Sequence, residues 1–135
     1  MLEYQIKAYV LHGGIAKATA NQSEIKFDAT SGRDEVLPNP AELLLTSLAA
    51  CMLKNIQRYS EILHIPYRKA SITVHGIRND NPPFMKTITY FIEIDTDVDD
   101  RKIELLHKNI LKFGTITGTL SKACELKGSM QKMKV

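Results

Sequence analysis

Two cysteines, Cys51 and Cys124, are the side chains of this sequence best suited to covalent chemistry. A cysteine thiolate can attack a peroxide oxygen and become a sulfenic acid. The chain has no CxxC pair, and its four histidines have no paired ligand spacing. We therefore expect thiol chemistry with no metal and no cofactor.

The first cysteine lies in the segment NPAELLLTSLAACMLKNIQRYSEILHIP, residues 39–66, whose pattern predicts a helix. Asn39 is a good N-cap, Pro40 suits the first helical position, and Glu42 falls at the capping-box position. Pro66 ends the helix. The first half of this helix is apolar on nearly every side, which predicts that it is buried.

Alternating apolar residues predict the other elements. Strands are expected at 2–11, 15–20, 24–28, 67–78, 84–96 and 122–131, a second helix at 99–112 and a helical turn at 115–121. The inward side chains of the fifth strand and second helix are predicted to be Met85, Ile88, Tyr90, Ile92, Ile94, Ile103, Leu106 and Ile110. The order β-β-β-α-β-β-α-β predicts an α+β fold in one domain, residues 1–135.

Composition and charge exclude several classes of protein. Hydrophobic residues make up 44% and charged residues 24%, which is typical of a soluble globular chain. The net charge of +3 is spread along the chain, so we expect no nucleic-acid partner. The N-terminal MLEYQIKAYV lacks the apolar core of a signal peptide, and no run approaches the ~18 apolar residues of a membrane span. We therefore expect a cytoplasmic protein with no membrane partner.

A helix that is apolar on every face needs partners on every side. One chain of 135 residues has few layers with which to surround it. We therefore predict a homodimer in which two subunits enclose the two central helices between their sheets.

The run NPAELLLTSLAAC, residues 39–51, resembles the signature of the OsmC/Ohr family of osmotically inducible and organic hydroperoxide resistance proteins. In that family P-x-E-L-L-L-x-x-L-x-x-C opens the buried central helix, and the order of elements agrees along nearly the whole chain. The resemblance implies an OsmC-like fold: antiparallel sheets wrapped around a buried central helix in an intertwined homodimer, with two sites at the subunit interface. It also implies hydroperoxide reduction in the oxidative stress response, by a peroxidatic cysteine, a resolving cysteine and an activating arginine.

Only part of that cysteine chemistry can be carried over to this sequence. Cys51 matches the peroxidatic position. The resolving cysteine of the family lies in a C-P-x-x-x-x-L run, which aligns with GTITGTL at 114–120, so Gly114 takes its place. No arginine precedes Arg33, which lies in the loop before the helix and is the candidate to activate the thiol; the alternative is a solvated loop arginine. Cys124 is expected in the last strand, with no part in the reaction.

Two polar residues share the first helix with Cys51. Ser47 lies one turn before it on the same face, and either hydrogen-bonds the thiol or allows close helix packing. Glu42 lies about half a turn out of phase, with ~13 Å of rise between them, so we expect it to cap the helix and take no part in catalysis.

The leading prediction is an OsmC-like thiol peroxidase that reduces an organic hydroperoxide at Cys51 and is regenerated by an external thiol reductant. The alternative is a dimer whose interface pocket binds a small apolar or acyl ligand without catalysis. A third interpretation is a structural homodimer in which Cys51 only packs. The pocket is predicted to be lined by Ser47, Leu48, Met52, Phe113, Gly114 and Thr115, with Thr117 beside the place of the absent cysteine.

Overall fold

The computed structural model describes residues 1–134 and contains two compact units, Met1–Leu44 and a second that begins at Leu45. The boundary falls within a long helix, α1 (Pro40–Ile62), which begins in the first unit and continues in the second. The strands and helices occur in the predicted order, so the α+β class is confirmed. The assignment of residues 1–135 to a single domain stays a prediction.

The first unit contains an antiparallel sheet in the order β1-β2-β3. Its strands are β1 (Lys7–Leu11), β2 (Ile15–Ala20) and β3 (Ser23–Asp28). The first strand begins at Lys7, so the prediction that it begins at residue 2 was wrong for the single chain. Lys7 pairs with Thr19 and β2 ends one residue later, so the residues before β1 have no neighbouring strand.

The two faces of this sheet differ in polarity. Cross-strand pairing places Ala8 beside Ala18 and Val10 beside Ala16 on one face, which Ile25 and Phe27 of β3 continue. On the other face Tyr9 pairs with Lys17, and Lys17 with Lys26. Of the apolar face, Ala16 is buried, whereas Val10 is 60% exposed and Ile25 is 45% exposed.

Helix α1 begins with the capping box that the sequence predicts. The backbone N–H of Glu42 donates to Asn39 Oδ1 at 2.9 Å, and the backbone N–H of Asn39 donates to Glu42 Oε1 at 3.0 Å. Two backbone donors that the helix itself leaves unpaired are thereby satisfied. The helix ends at Ile62, shortly before Pro66.

The second unit contains a sheet in the order β4-β5-β6, formed by β4 (Lys69–Asn79), β5 (Phe84–Asp95) and β6 (Glu125–Lys132). Strands β4 and β5 are antiparallel, but β6 pairs with β5 in the parallel direction, which corrects the expectation of purely antiparallel sheets. The connection from β5 to β6 contains α2 (Asp100–Phe113) and α3 (Thr115–Ala123). A parallel pair needs such a long crossover, because the chain must return to the same end of the sheet.

The core of the second unit is formed by one face each of α1, α2 and β5. A β-bulge at the Met85 end of β5 shifts the register of its pairing with β4. The Met85 side chain there reaches Gly76, the residue of β4 that pairs with Ile88. The predicted inward residues of β5 and α2 are confirmed, with Met85 half-buried and the others buried. Burial of each large side chain contributes about 1.5–3 kcal/mol. The fully buried core residues of these elements are Leu48, Met52, Ile56, Ile88, Ile92, Ile94, Leu106 and Ile110.

Within one chain, α1 is less buried than its composition predicts. Leu53 is half-buried and Ala50 is exposed. Only a single stripe of the helix is buried, formed by Leu48, Met52, Ile56 and Ser60. In residues 1–134 no helix combines the length and apolar character needed to cross a membrane.

Candidate functional site

Cys51 lies in the middle of α1, next to the buried stripe, with its side chain half-buried. One turn further along the helix, Asn55 donates a hydrogen bond from Nδ2 to Cys51 Sγ at 3.7 Å. Residues four apart lie on the same face of a helix, so this contact follows from the spacing. Cys51 is therefore partly accessible, and its sulfur has a polar donor beside it.

A second polar group reaches the same sulfur from α3. Thr117 Oγ1 lies 4.0 Å from Cys51 Sγ, although the two residues are 66 positions apart. Thr117 is 3% exposed, so its hydroxyl is directed into the protein. The structure thus brings Cys51 together with Thr117, which was predicted to lie beside the place of the absent cysteine.

Gly114, which the sequence resemblance aligns with the resolving cysteine, is the N-cap of α3 and is buried. Its φ of −80° is open to any residue, so the backbone does not require glycine here. The neighbouring atoms do require glycine, because a Cβ at this position would lie 2.7 Å from Thr117 Oγ1 and 3.0 Å from the carbonyl oxygen of Ile110. Thr117 therefore occupies the space that a side chain at position 114 would need.

Cys124 was expected in the last strand, and that placement was wrong. It is the C-cap of α3, one residue before β6 begins, because the predicted helical turn extends to Ala123. Its thiol donates to the carbonyl oxygen of Leu120 at 3.3 Å. Both cysteines are free thiols.

The other residues of the predicted pocket occupy different environments. Leu48 and Met52 are fully buried and belong to the core of the second unit. Phe113 is 49% exposed, and its ring stacks on that of Tyr59 with 5.2 Å between the ring centroids. Thr115 is exposed at the start of α3, and Ser47 is half-buried. Their joint role in a ligand pocket stays a prediction.

Arg33 lies in the loop between β3 and α1, in the first unit. Its side chain is 63% exposed, and its Nε lies 3.9 Å from Glu35 Oε1. The loop is organised by Asp28, which accepts hydrogen bonds from the hydroxyl and backbone N–H of Thr30 and from the backbone N–H of Asp34. These bonds, led by the Thr30 hydroxyl, lower the pKa of Asp28. Activation of Cys51 by Arg33 stays a prediction.

The sequence reasoning missed two features of this unit. Asn55 carried a usable signal, because it lies four residues after Cys51 on a predicted helix. The other feature is the pair formed by Tyr90 of β5 and His107 of α2, whose Oη and Nε2 are 2.5 Å apart. Burial raises the pKa of Tyr90 to about 12 and lowers the pKa of His107, so both groups are neutral and the phenol hydroxyl donates a hydrogen bond to the imidazole.

A thiol on the central helix of an α+β protein is the arrangement that the sequence resemblance implies. A family model for OsmC-like proteins matches residues 32–128, and the chain belongs to this family. No curated protein sequence matches the chain.

Solved structures share the fold over nearly their whole length. An OsmC-like protein from Mycoplasma pneumoniae is 21% identical with a TM-score of 0.89, and the alignment covers 98% of this chain and 99% of that one. The organic hydroperoxide resistance protein OsmC from Legionella pneumophila is 17% identical with a TM-score of 0.77, covering 97% and 99%. OhrB of Bacillus subtilis, another organic hydroperoxide resistance protein, is 15% identical with a TM-score of 0.71, covering 95% and 98%. The OsmC-like fold predicted from the sequence is thereby confirmed for the single chain, and the homodimer stays a prediction.

Proposed function

We propose that this protein is a one-cysteine thiol peroxidase of oxidative stress defence, which reduces an organic hydroperoxide at Cys51. The observation that carries the proposal is the environment of the Cys51 sulfur. Cys51 aligns with the peroxidatic cysteine that the sequence resemblance implies, is half-buried, and has Asn55 Nδ2 at 3.7 Å and Thr117 Oγ1 at 4.0 Å from its sulfur. Reactive cysteines are partly exposed and have polar or cationic neighbours, whereas inert ones are enclosed by apolar groups. The Legionella and Bacillus relatives are organic hydroperoxide resistance proteins, which supports hydroperoxides as the substrate class.

The reaction needs one protein thiol and an external thiol. The Cys51 thiolate attacks the terminal peroxide oxygen; an S–O bond forms as the O–O bond breaks, and the departing alkoxide takes a proton to become an alcohol. Cys51 is thereby oxidised to a sulfenic acid. An external thiol attacks its sulfur and water leaves, giving a mixed disulfide. A second external thiol attacks that disulfide, which releases the external disulfide and restores the Cys51 thiol.

The cycle needs an external thiol because position 114 has a glycine in place of a second cysteine. No cysteine occupies the N-terminus of α3, and Thr117 fills the space that such a side chain would need. Cys124 lies at the other end of α3, with its thiol hydrogen-bonded to Leu120. A small thiol or dithiol from solution therefore resolves the sulfenic acid.

The proposed functional form is a homodimer. Apolar side chains of the first unit are exposed, among them Val10 and Ile25 on the apolar sheet face and Leu2, Tyr4 and Ile6 before β1. These last three alternate as in a strand, but have no neighbouring strand in their own unit. Exposed apolar surface of this kind marks an interface, and a second copy of the chain is the partner that the resemblance implies.

The test is peroxide consumption by the purified protein. With cumene hydroperoxide and excess dithiothreitol, the wild type is expected to turn over, Cys51→Ser to lose turnover, and Cys124→Ser to retain it. After peroxide without reductant, dimedone should add one adduct to Cys51, detected by mass spectrometry. Equal consumption by wild type and Cys51→Ser would disprove the peroxidase proposal, and loss in Cys124→Ser would disprove the one-cysteine cycle. Light scattering should give twice the mass of one chain; a monomer mass contradicts the dimer.

A further inference from the structure

We infer that Lys54, Arg58 and Lys112 form a docking surface for the external thiol, and that this thiol is an anion. The inference deepens the proposed function, on which it rests for the need of an external thiol, by naming the chemical class of that thiol. All three cations belong to the second unit, and their side chains are exposed. The test uses a disulfide exchange that needs no peroxide.

The two segments of the second unit that meet at Cys51 contain cations and no carboxylate. One is residues 45–60 of α1, and the other is residues 105–124, which include most of α2 and all of α3; Cys51 and Thr117 are their point of contact. The whole chain is nearly balanced, with 18 basic and 15 acidic residues, so the positive charge here is a local excess. The basic residues of the two segments are Lys54, Arg58, Lys108, Lys112 and Lys122.

Lys54 and Arg58 lie on the same side of α1 as Cys51. At ~100° per residue, Lys54 is ~60° and Arg58 ~20° from the direction of Cys51 around the helix axis. Along the axis they lie ~4.5 Å and ~10.5 Å beyond it. A molecule whose sulfur reaches Cys51 therefore has both cations within about two helical turns.

A pair of stacked aromatic rings brings Lys112 of α2 to the same surface. The rings of Tyr59 and Phe113 have centroids 5.2 Å apart and planes inclined by 19°. Arg58 Cζ lies 5.9 Å from the centroid of the Tyr59 ring, and Lys112 Nζ lies 5.2 Å from that of Phe113. Cation–π attraction thus holds two cations from different helices beside one aromatic pair.

The charge of this surface is not neutralised within the chain. No carboxylate in the part of the chain that the structure describes forms an ion pair with any of the three cations. Lys108, by contrast, pairs with Glu104 at 3.8 Å. Glu61, the next acid along α1, accepts a hydrogen bond from Gln57. The three cations are therefore available to a ligand of opposite charge.

The chemistry of the external thiol supplies that charge. A thiol attacks a sulfenic acid or a disulfide as its thiolate, so the attacking molecule is an anion. Cations beside Cys51 raise the local concentration of such an anion, whereas a neutral hydroperoxide gains nothing from them. A carboxylate on the same molecule adds to the attraction. The class that fits is a small thiol with a carboxylate within ~10 Å of its sulfur, about two helical turns.

The experiment measures thiol exchange on a Cys51 S-methylthio adduct, prepared with methyl methanethiosulfonate in a Cys124→Ser background. An attacking thiolate forms a new S–S bond as the S–S bond of the adduct breaks, and the departing thiolate takes a proton from water. The probes are 3-mercaptopropionate, 2-mercaptoethanol and cysteamine, whose thiolates have two negative charges, one negative charge and no net charge. Intact mass measures the loss of the adduct, and each rate is compared with the background protein.

The expected losses increase with the charge of the thiolate. At ~10 Å in water, one unit charge changes the rate of a singly charged thiolate about twofold. The double variant Lys54→Gln with Arg58→Gln should therefore slow 2-mercaptoethanol ~fourfold and 3-mercaptopropionate ~sixteenfold at low ionic strength, and leave cysteamine unchanged. Lys112→Gln should give losses in the same order. Salt at ~1 M should remove the differences by screening.

Two controls separate charge from structure. Arg58→Lys keeps the cation and should exchange at the background rates. Arg101→Gln removes an exposed cation from the first turn of α2, ~16 Å along the helix from Lys112, and should also match the background.

Equal losses for the three thiols, or no loss, overturn the inference, because attraction of an anion requires a loss that depends on charge. A loss that persists at ~1 M salt, or Arg101→Gln as slow as Arg58→Gln, also overturns it. A wild type that consumes no peroxide but exchanges with the expected order of losses overturns the proposed function alone. Exchange that is independent of charge, with normal peroxide turnover, overturns the present inference alone.

Discussion

Replacement of Gly114 with alanine is expected to lower the free energy of unfolding, although the backbone at this position accepts any residue. The added Cβ would lie 2.7 Å from Thr117 Oγ1 and 3.0 Å from the carbonyl oxygen of Ile110. Overpacking of this kind typically costs about 1–3 kcal/mol. At ~2.1 cal/mol/K per residue, a loss of ~2 kcal/mol corresponds to a fall of ~7 °C in Tm for a chain of this length.

The structure also identifies which neighbour causes the cost. Thr117→Ala removes the nearest atom, so the penalty of Gly114→Ala should be smaller by ~1 kcal/mol in that background than in the wild type. The remaining penalty comes from two atoms at 3.0 Å that the Thr117→Ala variant keeps: the Cβ of residue 117 and the carbonyl oxygen of Ile110, which belongs to the backbone of α2 and cannot rotate away.

Gly118 provides the matched control within the same helix. A Cβ there would meet nothing within 4 Å, so Gly118→Ala should stabilise the protein by about 0.5–1 kcal/mol through helix propensity. Urea unfolding followed by circular dichroism measures all of these variants. A Gly114→Ala protein as stable as Gly118→Ala, or a penalty that does not change in the Thr117→Ala background, would refute the steric argument.

Three further outcomes are expected from other parts of the chain. Asn39→Ala should lower the free energy of unfolding by ~1 kcal/mol in urea titrations, because it removes the acceptor for the Glu42 N–H, and equal stability would contradict the capping box. Burial lowers the pKa of His107 below its ordinary 6.5, so the unfolded chain binds the proton more readily than the folded chain does. Between pH 7.5 and 5.5 the wild type should therefore lose more free energy of unfolding than His107→Gln does. Equal losses would contradict this. Gly128→Ala should destabilise by ~3 kcal/mol, because its Cβ would overlap the backbone oxygen and ring of Tyr90, and a wild-type Tm would contradict that contact.

The sequence predicted the features that depend on neighbours a few residues apart. Asn39 and Glu42 form the expected capping box because both partners lie within one helical turn. The inward face of β5 follows from strand alternation and includes Ile88 and Ile92. The family signature that ends at Cys51 likewise lies within one helix, so it indicates the OsmC-like class without any tertiary contact.

The tertiary structure decided the features that join distant segments. No local pattern pairs Thr117 with Cys51, because 66 residues separate them and the contact depends on how α3 packs near α1. The parallel direction of β6 depends on the full crossover through α2 and α3, and the helical extension to Ala123 moved Cys124 out of the strand. The sequence alone thus indicated which cysteine aligns with the family signature. Only the packing of α3 decided that a buried hydroxyl lies beside its sulfur, since a glycine at position 114 leaves the room for it.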